Sequence, residues 1–264
     1  MAEVEGTRTF RGPADAYDAF MGRYSRQLAP VFADFCGVRA DQRLLDVGCG
    51  PGAFTTVAVN RLGLEAVSAV DPTPHFVDTN RVRHPGLDVR QASAEDLPYA
   101  AGSFDIAVAQ LVLHFVSDPL RGVREMVRVV RTGGTVAACV WDVTREMEML
   151  RAFWDAALSL WPDAPGGAHM LRLGRDGEIV DLMASAGLDD IVETTLTVRS
   201  LYEDFAELWA TFLGGVGPAG AYLLGKASDD RDALREAFYG RLGRPAGPFV
   251  LEAVARAVRA VTPA

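Results

Sequence analysis

Short apolar runs and amphipathic stretches alternate through the first half of this 264-residue chain. The pattern predicts strands near 43–47, 66–70, 87–91, 104–110 and 135–141, with helical segments near 54–62, 74–82 and 119–131 between them. Such alternation is what a parallel sheet requires. A helical region is predicted from about Ala14 to Phe35, and Asp118-Pro119 suits a helix start, with the cap placed before a proline at the first helical position. Past Trp141 the repeat gives way. Met149, Leu150, Phe153, Trp154, Ala157, Leu160 and Trp161 recur at helical spacing within Glu146 to Trp161. A loop over 162–167, a helix over 177–186 and a strand over 191–198 follow. Two further helices are expected, about 203–224 and 229–242, the first interrupted by Gly214-Gly215-Val216-Gly217-Pro218. Val250 to Val258 does not alternate cleanly and reads as a final strand, with a helix as the alternative.

One loop carries the chemistry. Leu44-Leu45-Asp46-Val47-Gly48-Cys49-Gly50-Pro51-Gly52 reads as a buried strand breaking into a glycine loop ahead of a helix. Glycine is needed where the backbone takes positive φ or lets a ligand touch the main chain. Ligands of open α/β sheets bind at such points, beside the carboxyl ends of the strands. The pyrophosphate fingerprint is G-x-G-x-x-G on a helix N-terminus. Here the spacing is G-x-G-x-G and an acid stands at the mouth of the loop. That acid repels a pyrophosphate and suits a cation, such as the sulfonium and ammonium of S-adenosylmethionine, so an NAD-dependent oxidoreductase is disfavoured.

Asp46 to Gly52 resembles motif I of the class I S-adenosylmethionine-dependent methyltransferases. Further stations follow in order. Val67-Ser68-Ala69-Val70-Asp71 ends in an acid about 20 residues beyond the glycine loop, placed to accept both ribose hydroxyls. Ser93-Ala94-Glu95-Asp96-Leu97-Pro98 resembles the segment that reads the adenine edge, with Ser93 where many members carry Asp. Phe104 to Gln110 resembles the fourth strand, and Val129 to Val136 the turn into the fifth, with Thr132 in place of the usual Pro. The resemblance covers roughly residues 40 to 142 and is closest to the small-molecule branch called methyltransferase type 11.

The resemblance implies a doubly wound, Rossmann-like, mostly parallel seven-stranded α/β sheet with an antiparallel last strand and a helical cap. It implies S-adenosylmethionine as cofactor, S-adenosylhomocysteine as product, and direct in-line displacement at the methyl carbon. The cofactor-contact residues are then Tyr17, Arg23, Asp46, Gly48, Cys49, Gly50, Gly52, Asp71, Pro72, Ser93, Ala94, Glu95, Gln110 and Leu111. Arg23 is a candidate partner for the cofactor carboxylate. Candidate substrate contacts are His114, Phe115, Trp141 and Trp154, each open to the alternative of ordinary core packing. His114 is the candidate catalytic residue; a histidine satisfied by nearby backbone is the competing reading, and a base is the least expected role. A protein that keeps the cofactor as scaffold, or a non-methylating binding module, is the alternative function.

Composition narrows the rest. An apolar content of 49% and a charged content of 23% are ordinary for a globular chain, and a single domain is expected, with a cover at 1–36, a cofactor core at 40–142, and cap insertions and final strands at 143–264. The net charge is −9 and no Lys/Arg cluster is present to neutralise phosphates. Gln110-Leu111-Val112-Leu113 replaces the Asn/Asp-Pro-Pro-Tyr/Phe of enzymes that methylate base amines. A small molecule is therefore the expected partner, with no nucleic acid and no membrane, and a monomer or homodimer as the assembly. The start of the chain lacks signal-peptide character, which makes the cytoplasm the expected location. Cys36, Cys49 and Cys139 have no metal-ligand spacing, so neither a metal nor a disulfide is expected. His84 reads as a solvated turn residue, His75 as a capping or surface residue, and His169 as a cap-loop residue near substrate.

Overall fold

The computed structural model describes residues 14–142, 147–165 and 172–263. A short helical segment Ala14–Tyr17 and a π-helical turn Asp18–Gly22 lead into α1 (Arg23–Cys36), so the expected N-terminal helix is present but interrupted. It stops at Gly37, whose φ of 73° is left-handed, as a helix C-terminus commonly requires. Then follow β1 (Leu44–Val47), α2 (Ala53–Leu62), β2 (Val67–Asp71), α3 (Pro74–Arg83), β3 (Asp88–Gln91), β4 (Phe104–Gln110), α4 (Pro119–Val129) and β5 (Val130–Trp141). The Asp118 side chain accepts from the Arg121 amide, giving α4 its cap directly before Pro119. The second half comprises α5 (Glu148–Leu160), α6 (Glu178–Ser185), β6 (Asp189–Tyr202), α7 (Phe205–Leu213), α8 (Gly217–Leu224), α9 (Ser228–Arg241) and β7 (Phe249–Val261).

All seven strands join one sheet in the order β3-β2-β1-β4-β5-β7-β6. The first five pair in parallel, and β7 runs antiparallel to both β5 and β6. The strand alternative for Val250–Val258 is thus the right one. Its missing alternation has a cause: β7 lies between two strands, and Ala253, Ala255, Ala257, Val258 and Ala260 are all buried. A strand covered on both faces loses the period of two that a half-wet strand shows. The stretch expected as one interrupted helix over 203–224 is two helices, separated where Gly215 and Gly217 take left-handed φ of 70° and 67°.

Apolar side chains pack on both sheet faces. Tyr24, Leu28 and Phe32 of α1, Phe54 of α2, Phe153 of α5, Phe212 of α7 and Phe238 of α9 form one core. Val123 and Met126 of α4 join Ile179 and Met183 of α6 in the other. No helix among the described residues is long and apolar enough to cross a membrane.

Candidate functional site

Because β1, β2 and β4 are parallel neighbours, Asp46, Asp71 and Gln110 emerge at the same edge of the sheet. A cleft opens there. Among the residues expected from sequence, Tyr17, Asp46, Gly48, Cys49, Gly50, Asp71, Pro72, Gln110, Leu111, His114, Phe115, Trp141 and Trp154 line it.

The glycine loop is built for close packing on one side and for open space on the other. Gly48 has φ 70°, and a Cβ there would fall 2.4 Å from a methyl of Val112. Gly50 has φ 52°, and a Cβ there would meet nothing within 4 Å. Gly52 does not line the cleft. Its φ is 100°, and a Cβ would lie 3.0 Å from Asn80 Oδ1 and from His84 Cε1, so its smallness serves packing behind the loop. The loop amides are all consumed internally. Gly48 and Cys49 donate to Val70 O, Gly50 donates to Asp71 Oδ2 at 2.9 Å, Gly52 donates to Cys49 O, and Pro51 has no N–H. From Gly48 to Gly52, no amide is left over to cradle a phosphate.

The two acids are buried and differ in their support. Asp71 accepts from the Gly50 and Thr73 amides, at 2.9 and 2.8 Å. Burial raises its pKa above the usual carboxylate value while those bonds hold it down. Asp46 accepts at Oδ2 from the Thr55 hydroxyl at 2.6 Å. Burial pushes Asp46 up to about 7, with the Thr55 bond opposing the rise and the Asp71 charge adding to it. Across from them, the Tyr17 ring meets Phe76 edge-on at 5.3 Å, and burial also raises the phenol. Leu111, directly after β4, has φ 63°, a strained setting for a side chain with a Cβ and one typical of functional sites.

The other end of the cleft is apolar. Phe20, Met21, Phe115, Trp141, Leu150, Trp154, Pro218 and Ala219 surround it, the Trp141 indole donating to Met21 Sδ at 3.1 Å. Gln110 and His114 stand among the described lining residues there. Gln110 Nε2 donates to Ser25 O at 3.1 Å, and its Oε1 is buried without a partner. His114 is 4% exposed with Nδ1 unpartnered, and burial lowers its pKa to about 3, the nearby Arg172 charge adding to the effect. The imidazole is therefore neutral across the physiological range.

Several expected residues sit elsewhere. Arg23 donates to Glu207 at 2.9 Å and to Leu201 O at 2.8 Å, with its guanidinium 4.0 Å from the Tyr202 ring centroid. It braces α1 against β6 and α7 and does not reach the cleft. Ser93 and Glu95 close a turn, in which Ser93 Oγ accepts from the Glu95 amide and Glu95 Oε1 accepts from the Asp118 amide at 2.6 Å. Ala94 is buried beside Gly122. None of these three lines the cleft. His84, expected to be solvated, is 9% exposed and bonded to Asn80 and Thr56. His169 lies outside the described residues. Sequence inspection passed over Phe20 and Met21, which share the cleft with Tyr17. They belong to the π-helical turn Asp18–Gly22, whose wider pitch changes which residues share a face with Tyr17.

Comparison with known proteins agrees with this architecture. Residues 45–138 match the family model described as a methyltransferase domain. A 2-methyl-6-phytyl-1,4-hydroquinone methyltransferase of Oryza sativa subsp. japonica is 30% identical over 151 residues, 56% of this chain and 39% of that protein. An uncharacterized methyltransferase of Mycobacterium tuberculosis is 34% identical over 134 residues, 50% of this chain and 54% of that protein. The chain thus spans about half the length, or less, of these curated relatives. Among solved structures, a Haemonchus contortus phosphoethanolamine N-methyltransferase bound to phosphomonomethylethanolamine and S-adenosylhomocysteine superposes with a TM-score of 0.58. Its identity is 18%, and the match covers 95% of this chain and 57% of that one. Residues 45–138 thus match a methyltransferase domain, and the motif order and sheet topology are similar to those of the class I S-adenosylmethionine-dependent methyltransferases.

Proposed function

We propose that the protein transfers the methyl group of S-adenosylmethionine to a small, uncharged and largely apolar acceptor. One observation carries this reading: one cleft joins two buried carboxylates and a glycine loop with internally bonded amides to an aromatic end that carries, among the described residues, Gln110 and a neutral His114 with unpartnered atoms. The residues fit the cofactor. Gly50 leaves open space where a ligand can lie against the backbone, and Asp71 has lone pairs left for hydroxyls after serving two amides. Asp46 offers the cleft a countercharge for a cation. When bound, the cofactor supplies a methyl group already activated by its sulfonium.

The chain's own contribution is placement. Trp141, Trp154, Phe115 and Met21 exclude water and enclose a flat apolar acceptor. Holding two reactants in line can account for ~7–11 kcal/mol of barrier. The neutral His114 can accept a hydrogen bond from an acceptor hydroxyl or amine, while its burial and the Arg172 charge oppose its taking a proton. The aromatic lining of this end favours neutral acceptors.

The experiment is calorimetry with S-adenosylhomocysteine and NADH in parallel, followed by mass spectrometry for S-adenosylhomocysteine formed in the presence of phenolic, quinol and amine acceptors. Tight binding of the first ligand alone, with turnover on an uncharged acceptor, is expected. NADH binding without S-adenosylhomocysteine binding would overturn the reading. Cofactor binding with no turnover on any acceptor class would favour the scaffold function.

A further inference from the structure

Behind the glycine loop, four side chains from three elements form one unbroken hydrogen-bonded chain. His84 Nδ1 lies 2.7 Å from Asn80 Oδ1, Asn80 Nδ2 donates to Thr55 Oγ1 at 3.0 Å, and the Thr55 hydroxyl donates to Asp46 Oδ2 at 2.6 Å. Asn80 and Thr55 are fully buried. Counting protons gives the chain its sense. Thr55 has one hydrogen; once it goes to an ionised Asp46, the hydroxyl oxygen must accept from the Asn80 amide nitrogen. The Asn80 oxygen then faces the imidazole, and because it can only accept, His84 carries a proton on Nδ1. Thr56 Oγ1 meets the other ring nitrogen at 2.9 Å. The three links from His84 to Asp46 donate toward the carboxylate, while the Thr56 hydroxyl also donates to Gly52 O at 2.8 Å.

We propose that His84, Asn80 and Thr55 are positioning residues that keep Asp46 ionised and aimed at the cleft as the countercharge for a cationic ligand. The ligand's identity rests on the cofactor reading above, whereas the relay itself rests on the geometry alone. A buried carboxylate resists ionisation, and hydrogen bonds donated to its charged form are the available counterweight. Bonds in series polarise one another, so a donor two residues removed still strengthens the last link. Other groups pull on the same site. Asp71 opposes ionisation of Asp46, the Cys49 thiol sits in the field of both acids, Tyr17 and His75 face Asp71, and Arg83 adjoins His84. The relay also bears on the third glycine of the loop, since a Cβ at Gly52 would crowd Asn80 and His84 at 3.0 Å and its φ of 100° itself favours glycine.

The test reads Asp46 directly. Carboxyl carbon NMR of the ligand-free protein, assigned with Asp46→Asn, gives the midpoint of its titration. Thr55→Val and Asn80→Leu are expected to move that midpoint upward by about one pH unit, a tenfold change in the ionisation constant. His84→Leu should move it in the same direction by less. Thr55→Ser and His84→Gln, which keep a donor in place, should restore it. Calorimetry with S-adenosylhomocysteine should show affinity about tenfold weaker in Thr55→Val at pH values below the new midpoint, and recovering above it. Should the two buried variants fail to fold, the His84→Leu and His84→Gln pair at the rim of the core carries the test. An Asp46 midpoint unmoved by His84→Leu and by Thr55→Val overturns the relay. Midpoint shifts without any S-adenosylhomocysteine binding by the unmutated protein would leave the relay standing and overturn the cofactor reading.

Discussion

Asp71 Oδ2 accepts a 2.9 Å hydrogen bond from the Gly50 amide, so the end of β2 holds the glycine loop of β1 in shape. The residue therefore has two duties, toward the loop and toward ligand hydroxyls. Asp71→Ala should weaken S-adenosylhomocysteine binding by about tenfold to a hundredfold for each charge-assisted bond lost, at ~1.5–3 kcal/mol apiece. Asp71→Asn keeps one acceptor oxygen and should fall between. Calorimetry decides; an unchanged dissociation constant in the alanine variant removes Asp71 from the ligand site.

Asp46 should trade stability for binding. Its folded pKa of about 7 lies above the ordinary 3.8, so the folded state holds a proton that the unfolded chain has already lost. Stability from that proton is complete below the ordinary pKa and is lost as pH rises through about 7. Asp46→Asn should accordingly stabilise the ligand-free protein by about 2–4 kcal/mol at about pH 8, with little gain near the ordinary pKa. The same variant should bind S-adenosylhomocysteine more weakly. Urea denaturation at the two pH values, beside calorimetry, measures both halves.

His114 works in the opposite direction. Its folded pKa of about 3 lies below the ordinary 6.5, so between these values the unfolded chain binds a proton that the fold refuses. Its contribution is present above 6.5 and lost as pH falls, at about 1.4 kcal/mol per pH unit. His114→Asn should flatten the acid side of the stability profile by that slope. It should leave S-adenosylhomocysteine affinity intact while lowering turnover on the acceptor. A loss of ~10²–10⁴-fold would mark His114 as a base.

Arg23→Ala should change S-adenosylhomocysteine affinity less than twofold. Its guanidinium is committed to Glu207 and to Tyr202, and the pair is partly exposed, so the cost is about 0–1 kcal/mol of stability. A large loss of affinity would bring Arg23 back to the cofactor carboxylate.

Trp154→Phe should raise the acceptor KM and leave cofactor affinity unchanged. Trp154 lines the cleft from α5, packed edge-on against Phe153 at 5.2 Å, and phenylalanine keeps that contact while opening space. A shifted cofactor affinity with an unaltered acceptor KM would move this side chain to the other end of the cleft.

The glycine-loop end of the cleft was legible in the sequence because its determinants are local. Asp46, Gly48 and Gly50 adjoin, and Asp71 closes the next strand, so spacing alone carries their placement. What escaped depends on residues far apart in the chain. Arg23 turns away because Glu207 and Tyr202 wait for it more than 170 residues on. His84 is buried because Thr56, across a strand and a helix, supplies its second partner. Ser93 looked like an adenine reader, but the nearest call on Glu95 is the amide of Asp118. A π-helical turn at Asp18–Gly22 rotates the cover in a way that no apolar period announces.

The antiparallel pair β6 and β7 meets at Tyr202 and Phe249, and α7, α8 and α9 form the connection between those two residues. Gly217, Pro218 and Ala219 of α8 thereby reach the acceptor end from an excursion whose two ends are pinned side by side. Lengthening such an excursion adds little closure entropy, since each doubling costs only about 0.6 kcal/mol. The roof over the apolar end of the cleft can thus be rebuilt, enlarged or exchanged while the strands that carry the glycine loop keep their register. Acceptor choice and cofactor binding are free to evolve at different rates within one chain.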